Sequence, residues 1–218
     1  MIYDKDIREP LFDFLEETYG KVRVIEEKTI GKSRADVFLV LTGEIWGLEI
    51  KSDADTYTRL AGQVKDYDRF FDKNLVVVGT SHAMHIEEHV PAHWGIITVD
   101  QTDAGPDFYL LRQPSEGTKV TWERKLGLLW RPELAALQET FRMPRYKEKS
   151  KDFVVKAIAG QIGELIPEEE LRIEFTKQLF ERDYTEIAKK IQAFREENNR
   201  VRPERKPRKR RVRKKRTK

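Results

Sequence analysis

The 218-residue chain contains no cysteine, and this absence excludes two classes of site at once. Without cysteine there is neither a disulfide framework nor a metal site held by thiolates. The chain also lacks an apolar signal segment at its N-terminus and any apolar run near the ~20 residues that cross a bilayer. We therefore expect a soluble, cytoplasmic protein with no membrane partner. The hydrophobic fraction of 39% is sufficient for one compact core and a smaller appendage.

Charge is distributed unevenly along the chain. Residues 200–218 carry thirteen lysine or arginine side chains against one acid, so this tail has a charge of +12 and the rest of the chain −8. A segment so rich in charge and so poor in apolar residues is predicted to be disordered, and each cation that neutralises a phosphate strengthens binding in a salt-sensitive way. The alternative is a solvated terminus that only improves solubility. The residues predicted to bind nucleic acid are Arg205, Lys206, Arg208, Lys209, Arg210, Arg211, Arg213, Lys214, Lys215 and Arg216.

A predicted β-hairpin brings two acids and a lysine together. Asp36 begins an apolar run, Thr42-Gly43 supplies a turn, and a returning strand ends in Glu49-Ile50-Lys51. Because side chains alternate along a strand, Glu49 and Lys51 share one face while Ile50 points into the core. Such a charged set at the end of an apolar hairpin is costly unless a cation and a phosphate complete it. The alternative is a salt bridge at the strand end.

Two further polar residues follow on a predicted helix over residues 56–71. Gln63 and Tyr67 are four apart, so a helix places both on one face. The chain resembles the PD-(D/E)xK nuclease superfamily, in its branch with a QxxxY motif. The resemblance rests on Asp36, the Glu49-x-Lys51 pattern and the Gln63-x3-Tyr67 pair. The likeness is greatest to small bacterial and phage proteins of the restriction-endonuclease-like type, and it covers roughly the first hundred residues. One departure is that Ala35, and not proline, precedes Asp36.

The resemblance implies a Mg²⁺ site, with Mn²⁺ as an alternative ion. Asp36, Glu49 and the main-chain carbonyl of Ile50 would be its ligands, and Lys51 would orient or deprotonate the attacking water or stabilise the transition state. Gln63 and Tyr67 would hold the phosphate or position the lysine. The superfamily adds one more acid, for which Glu27 and Glu26 on the first strand are the candidates.

The order of predicted elements indicates an α/β fold. The predicted elements are a helix over 4–19, a three-strand meander, the helix over 56–71, and strands at 75–79 and 95–99. This order resembles a restriction-endonuclease-like core, with a mixed central sheet of about five strands flanked by helices. Residues 108–112 and 119–123 are candidates for an added edge hairpin. We predict a nuclease-like core over 1–120, an all-α region over 121–199 that is a cap or a helix-turn-helix reader, and the tail over 200–218.

The function expected from the sequence is Mg²⁺-dependent hydrolysis of DNA phosphodiester bonds, in DNA repair, recombination or phage-related DNA processing. The alternative is a non-catalytic nucleic-acid-binding or scaffold protein on a nuclease fold. DNA is the expected partner, with a helicase or another phage protein as a further one. The sequence leaves open the oligomeric state and the choice between exonuclease and endonuclease.

Overall fold

The computed structural model describes residues 3–117 and 119–183. The chain divides into two compact units, Met1–Glu181 and Arg182–Lys218, and every helix and strand of the described part lies in the first. The predicted helix over 185–197 and the basic tail over 200–218 lie outside the described residues.

Six strands form one mixed sheet whose spatial order follows the chain order. β1 to β3 are antiparallel neighbours, β3, β4 and β5 run parallel, and β6 pairs antiparallel with β5. This confirms the predicted α/β class. The strands are β1 (Arg23–Ile30), β2 (Ser33–Val40), β3 (Ile45–Lys51), β4 (Lys73–Gly79), β5 (Gly95–Thr102) and β6 (Gly105–Arg112).

The sheet has one strand more than the five that were predicted for the core. The sixth, β6, contains the predicted edge segment 108–112 and forms a hairpin with β5. The prediction that residues 119–123 form the other strand of this edge hairpin was wrong. Thr121 has an extended backbone but occupies the position before a helix that begins at Trp122.

Helices cover both faces of the sheet. The predicted first helix has the expected bounds, and the predicted helix over 56–71 consists of a 3₁₀ turn, Tyr57–Arg59, followed by α2. The helices are α1 (Asp4–Tyr19), α2 (Leu60–Phe70), α3 (Thr80–Ala83), α4 (Trp122–Gly127), α5 (Arg131–Thr140), α6 (Lys151–Ala159) and α7 (Glu168–Phe180). None of the helices in the described residues is long and apolar enough to cross a membrane.

The sheet separates two hydrophobic clusters, one on each face, because side chains alternate along its strands. On one face, Ile7, Leu11 and Leu15 of α1 pack on alternate strand residues such as Leu39 and Leu48. On the other, α2 and the C-terminal helices α4 to α7 share one cluster with the sheet. The described part of the predicted all-α region is thus helical and packs on the sheet, while the predicted division at residue 120 stays a prediction.

Glycine at position 47 allows α2 to lie close to the sheet. A Cβ built on Gly47 would lie 2.3 Å from a ring carbon of Phe71 and 2.6 Å from a ring carbon of Tyr67. Such distances are far inside van der Waals contact, so no other side chain fits without displacing these rings. This close approach brings the Tyr67 hydroxyl to the backbone of β3 and to the polar site described next.

Candidate active site

The site begins where the pairing of β2 and β3 ends. Main-chain pairing runs from Val40 opposite Ile45 to Val37 opposite Leu48. One residue further, Oδ2 of Asp36 accepts the N–H of Ile50 at 3.0 Å. Since the N–H and C=O of one strand residue point to the same side, the Ile50 carbonyl also lies toward β2. The Asp36 carboxylate and the Ile50 carbonyl therefore lie on the same side of β3 at this strand end.

Glu49 is the centre of the hydrogen-bond network, although it is only 1% exposed. Its Oε1 accepts from Nζ of Lys51 at 2.6 Å and from Nε2 of Gln63. Its Oε2 accepts from the Tyr67 hydroxyl at 2.7 Å. A buried carboxylate is costly unless it is paired and hydrogen-bonded, and these three donors satisfy that requirement.

Lys51 lies on the same face of β3 as Glu49, as the alternation predicts, and it too is buried. Besides its ion pair with Glu49, its ammonium group contacts Oε1 of Gln63 at 3.4 Å. Gln63 thus donates to the Glu49 carboxylate through its amide nitrogen and accepts from the Lys51 ammonium through its amide oxygen. The relative position of Glu49 and Lys51 is therefore fixed from α2 as well as from β3.

Tyr67 is fully buried, one helical turn after Gln63 on the same face of α2. Its hydroxyl oxygen accepts the N–H of Asp36 at 3.2 Å and also contacts the Leu48 carbonyl at 3.2 Å. A hydroxyl has one proton, and the shorter contact to the Glu49 carboxylate is its best acceptor. Burial, followed by the charges of Glu49 and Asp36, raises the pKa of Tyr67 well above its ordinary value, so the phenol stays protonated.

The pKa of the Asp36 carboxyl lies well above its ordinary value. Burial and then the neighbouring charge of Glu49 raise the pKa of Asp36 to about 7, against the opposing effects of the Ile50 N–H, Lys51 and Arg8. Two neighbouring carboxylates that are shielded from water resist being ionised together. A bound cation near the two carboxylates would reduce that cost.

These groups open onto a cleft of about 760 Å³. Among the described residues, no group of three or more His, Asp or Glu side chains is placed to hold a metal ion. Of the two candidate third acids, Glu27 lines the cleft and pairs with Arg34 at 3.2 Å, whereas Glu26 pairs with Arg8 at 3.0 Å. The cleft walls are Asp4, Arg8, Glu27, Lys32, Ser33, Arg34, Asp36, Glu49, Ile50, Lys51, Asp55, Thr58, Arg59, Gly62 and Gln63.

The structure places near one another the five residues that were predicted to form one site: Asp36, Glu49, Lys51, Gln63 and Tyr67. The predicted tail residues lie outside the described part of the chain.

The sequence analysis missed Arg8 of α1, which contacts the main-chain oxygen of Asp36 at 3.4 Å and binds Asp4 at 2.8 Å. The Asp4/Arg8 spacing of four on a helix was the available signal, but it does not indicate a contact with β2.

A family model for bacteriophage P4 protein cII matches residues 2–212, nearly the whole chain. The chain belongs to the phage P4 protein cII family. A member from Enterobacteria phage P4, protein cII, is 23% identical over 130 residues, which cover 59% of this chain and 49% of that protein. The chain thus matches about half the length of that curated relative.

A solved structure with some similarity is SfsA of Pyrococcus furiosus in complex with Ca²⁺. The match covers 51% of this chain and 61% of SfsA, with 15% identity and a TM-score of 0.29. A TM-score this low does not relate the two folds.

Proposed function

We propose that this member of the cII family is a Mg²⁺-dependent deoxyribonuclease of the PD-(D/E)xK type. The observation that carries the proposal is that Asp36, Glu49 and Lys51 line one cleft of about 760 Å³, with Lys51 paired to Glu49 and Asp36 bonded to the neighbouring Ile50 N–H. Paired carboxylates beside a buried lysine suit phosphodiester hydrolysis because that reaction needs both charge neutralisation and an activated water.

We propose Mg²⁺ as the ion that these oxygen donors would bind. Mg²⁺ retains several waters and takes only one or two carboxylates from the protein, so Asp36, Glu49 and the Ile50 carbonyl would suffice, with Mn²⁺ as a substitute and Glu27 as an outer acid. When bound, the ion would polarise the phosphoryl oxygen and acidify a coordinated water.

The protein's own groups have distinct roles. Lys51, which lines the cleft beside Glu49, would orient or deprotonate the attacking water or stabilise the transition state. Gln63 would keep Lys51 aligned on Glu49 through its two amide contacts. Because Tyr67 has no solvent-exposed surface, it would act as a positioning residue on Glu49, and not on the phosphate.

Membership of a phage protein family favours phage-related DNA processing over general repair or recombination as the setting. The partners we propose are DNA and, for recruitment, a helicase or another phage protein.

DNA cleavage by the full chain tests the proposal. Plasmid, linear duplex and single-stranded DNA are incubated with Mg²⁺, Mn²⁺ or EDTA, using wild type, Asp36→Asn and Lys51→Met. We expect metal-dependent cleavage that each substitution lowers by about 10² to 10⁴-fold. Thr98→Ala is a matched control, because Thr98 lies on β5 outside the cleft. Equal cleavage by wild type and both site variants would reject the assignment.

One observation favours a second candidate, a non-catalytic DNA-binding or scaffold protein. Both oxygens of Glu49 are already occupied by Lys51, Gln63 and Tyr67, so the set is also a complete internal ion pair without a metal. That protein would bind DNA but show no metal-dependent turnover. Titration with Mn²⁺ separates the two, because only the nuclease would bind the ion in an Asp36-dependent way.

A further inference from the structure

A second cavity adjoins the proposed catalytic cleft. It has a volume of about 530 Å³ and lies beside the exposed side of α2. Lys32, Ser33 and Gly62 line both cavities, so the two form one continuous depression. Besides Lys51, seven cations line this depression, and two of them, Arg8 and Arg34, pair with acids. We call the other five the basic groove: Lys32, Arg59, Lys65, Arg69 and Arg124.

Within residues 3–117 and 119–183, none of the five cations of the basic groove forms an ion pair, whereas the acids around them have partners. Asp4 binds Arg8, Glu27 binds Arg34, and Oδ2 of Asp55 accepts from the Ser52 hydroxyl.

Asp66, the acid that lines the second cavity, is directed toward the β1–β2 turn. Its Oδ2 accepts the Lys32 N–H at 3.0 Å and the Ser33 hydroxyl at 2.7 Å. Within the described residues, one groove thus gathers five cations without an ion pair, on a chain whose first 199 residues carry a net charge of −8. This local concentration of positive charge suits an anionic ligand.

Gly62 is an independent indication of a ligand. It is the third residue of α2, and a Cβ built there would meet no atom of the described residues within 4 Å apart from its chain neighbours and the backbone of α2. Neither packing nor a positive φ requires glycine at this position, and glycine is a weak helix former. A bare backbone at the junction of two cavities allows a ligand to approach the helix closely.

We propose that the basic groove binds the phosphate backbone of the DNA strand that leads out of the catalytic cleft. The choice of DNA as the ligand rests on the proposed nuclease function. Lys65 and Arg69 are exposed on one side of α2, and Arg124 contributes from α4 across the second cavity. Contacts of this kind position a strand without reading its sequence, because phosphates are the same at every step.

The test measures DNA binding by the full chain in EDTA, so that no cleavage occurs. Fluorescence anisotropy with labelled single-stranded and duplex DNA is recorded between about 50 and 200 mM salt. The groove variant is Lys65→Gln with Arg69→Gln. The control is Lys21→Gln with Lys177→Gln, which removes the same charge from exposed positions outside both cavities.

We expect the groove variant to bind roughly ten-fold more weakly at low salt, and its slope of log affinity against log salt to be less steep by about two. The control variant should lose much less affinity for DNA, because the basic tail contributes equally to binding in both variants. Equal losses in the two variants would overturn the proposal, because binding would then follow total charge alone.

Two further outcomes separate the groove from catalysis. If wild type never cleaves DNA but the groove variant still loses affinity selectively, the nuclease function fails and the groove stands. If cleavage is normal in the groove variant and its affinity matches the control, the groove fails alone. Gly62→Gln should weaken DNA binding without lowering the thermal unfolding midpoint, and wild-type affinity in that variant would also count against the groove.

Discussion

The Tyr67 hydroxyl donates a 2.7 Å hydrogen bond to Oε2 of Glu49, and both side chains are at most 1% exposed. This contact joins α2 to β3 at the point where the proposed metal ligands meet. It fixes the orientation of the Glu49 carboxylate, so that Oε1 faces Lys51 and Gln63.

Tyr67→Phe should destabilise the protein by about 1 to 3 kcal/mol, because a buried carboxylate oxygen loses its donor without gaining water. Urea unfolding measures this free energy, and DNA cleavage should fall in the same variant. Tyr57→Phe is the matched control, because its partly exposed hydroxyl contacts the His82 carbonyl outside the site. An unchanged unfolding free energy for Tyr67→Phe would show that the contact contributes nothing.

Stability should fall as pH rises from about 4 to 7 in metal-free buffer. The pKa of Asp36 is raised to about 7, so in this range the folded protein retains a proton that the unfolded chain has lost. Raising the pH therefore favours unfolding, by roughly 2 to 4 kcal/mol in total. In Asp36→Asn this part of the decline should disappear, leaving that variant more stable than wild type at pH 8. Identical pH profiles of unfolding free energy would contradict the prediction.

Lys125→Met should cost about 3 to 5 kcal/mol. Lys125 of α4 donates to both oxygens of Asp72 at 2.8 and 2.9 Å, and Oδ2 of Asp72 also accepts the Ile45 N–H at the start of β3. Removing the cation leaves a buried carboxylate with a weaker partner. The double variant Lys125→Met with Asp72→Asn should recover part of the loss in thermal unfolding. Additive losses would show that the two residues do not interact.

Gly47→Ala should destabilise the fold by about 1 to 3 kcal/mol or more, because the new methyl group overlaps the rings of Tyr67 and Phe71. Gly62→Ala is the control, since its methyl group enters open space on the same helix–sheet layer. Denaturant midpoints compare the two variants. If both were equally stable, α2 would be able to move away from β3 at no cost.

Much of the site was predictable because it depends on local periodicity. Alternation along β3 places Glu49 and Lys51 on one face, and a spacing of four places Gln63 and Tyr67 on one face of α2. The sheet brings Asp36 to this strand end through a short hairpin. Each of these relations spans few residues, so sequence patterns can express it.

The remaining features depend on contacts between distant segments. The Lys125–Asp72 pair joins residues 53 apart, and nothing near either residue indicates the other. The segment around Thr121 has strand-forming residues, yet packing against the sheet-covering cluster favours a helix from Trp122 onward. Pairing of Glu26 with Arg8 likewise requires α1 to lie beside β1, which no local pattern specifies.

The location of a bound Mn²⁺ ion, by anomalous X-ray scattering from crystals of the full chain, tests the central claim most directly. The account predicts one peak within about 2.0 to 2.4 Å of carboxylate oxygens of both Asp36 and Glu49, and its loss in Asp36→Asn. A saturated crystal with no ion between these residues, and with Glu49 still bound by Lys51, Gln63 and Tyr67, would contradict it.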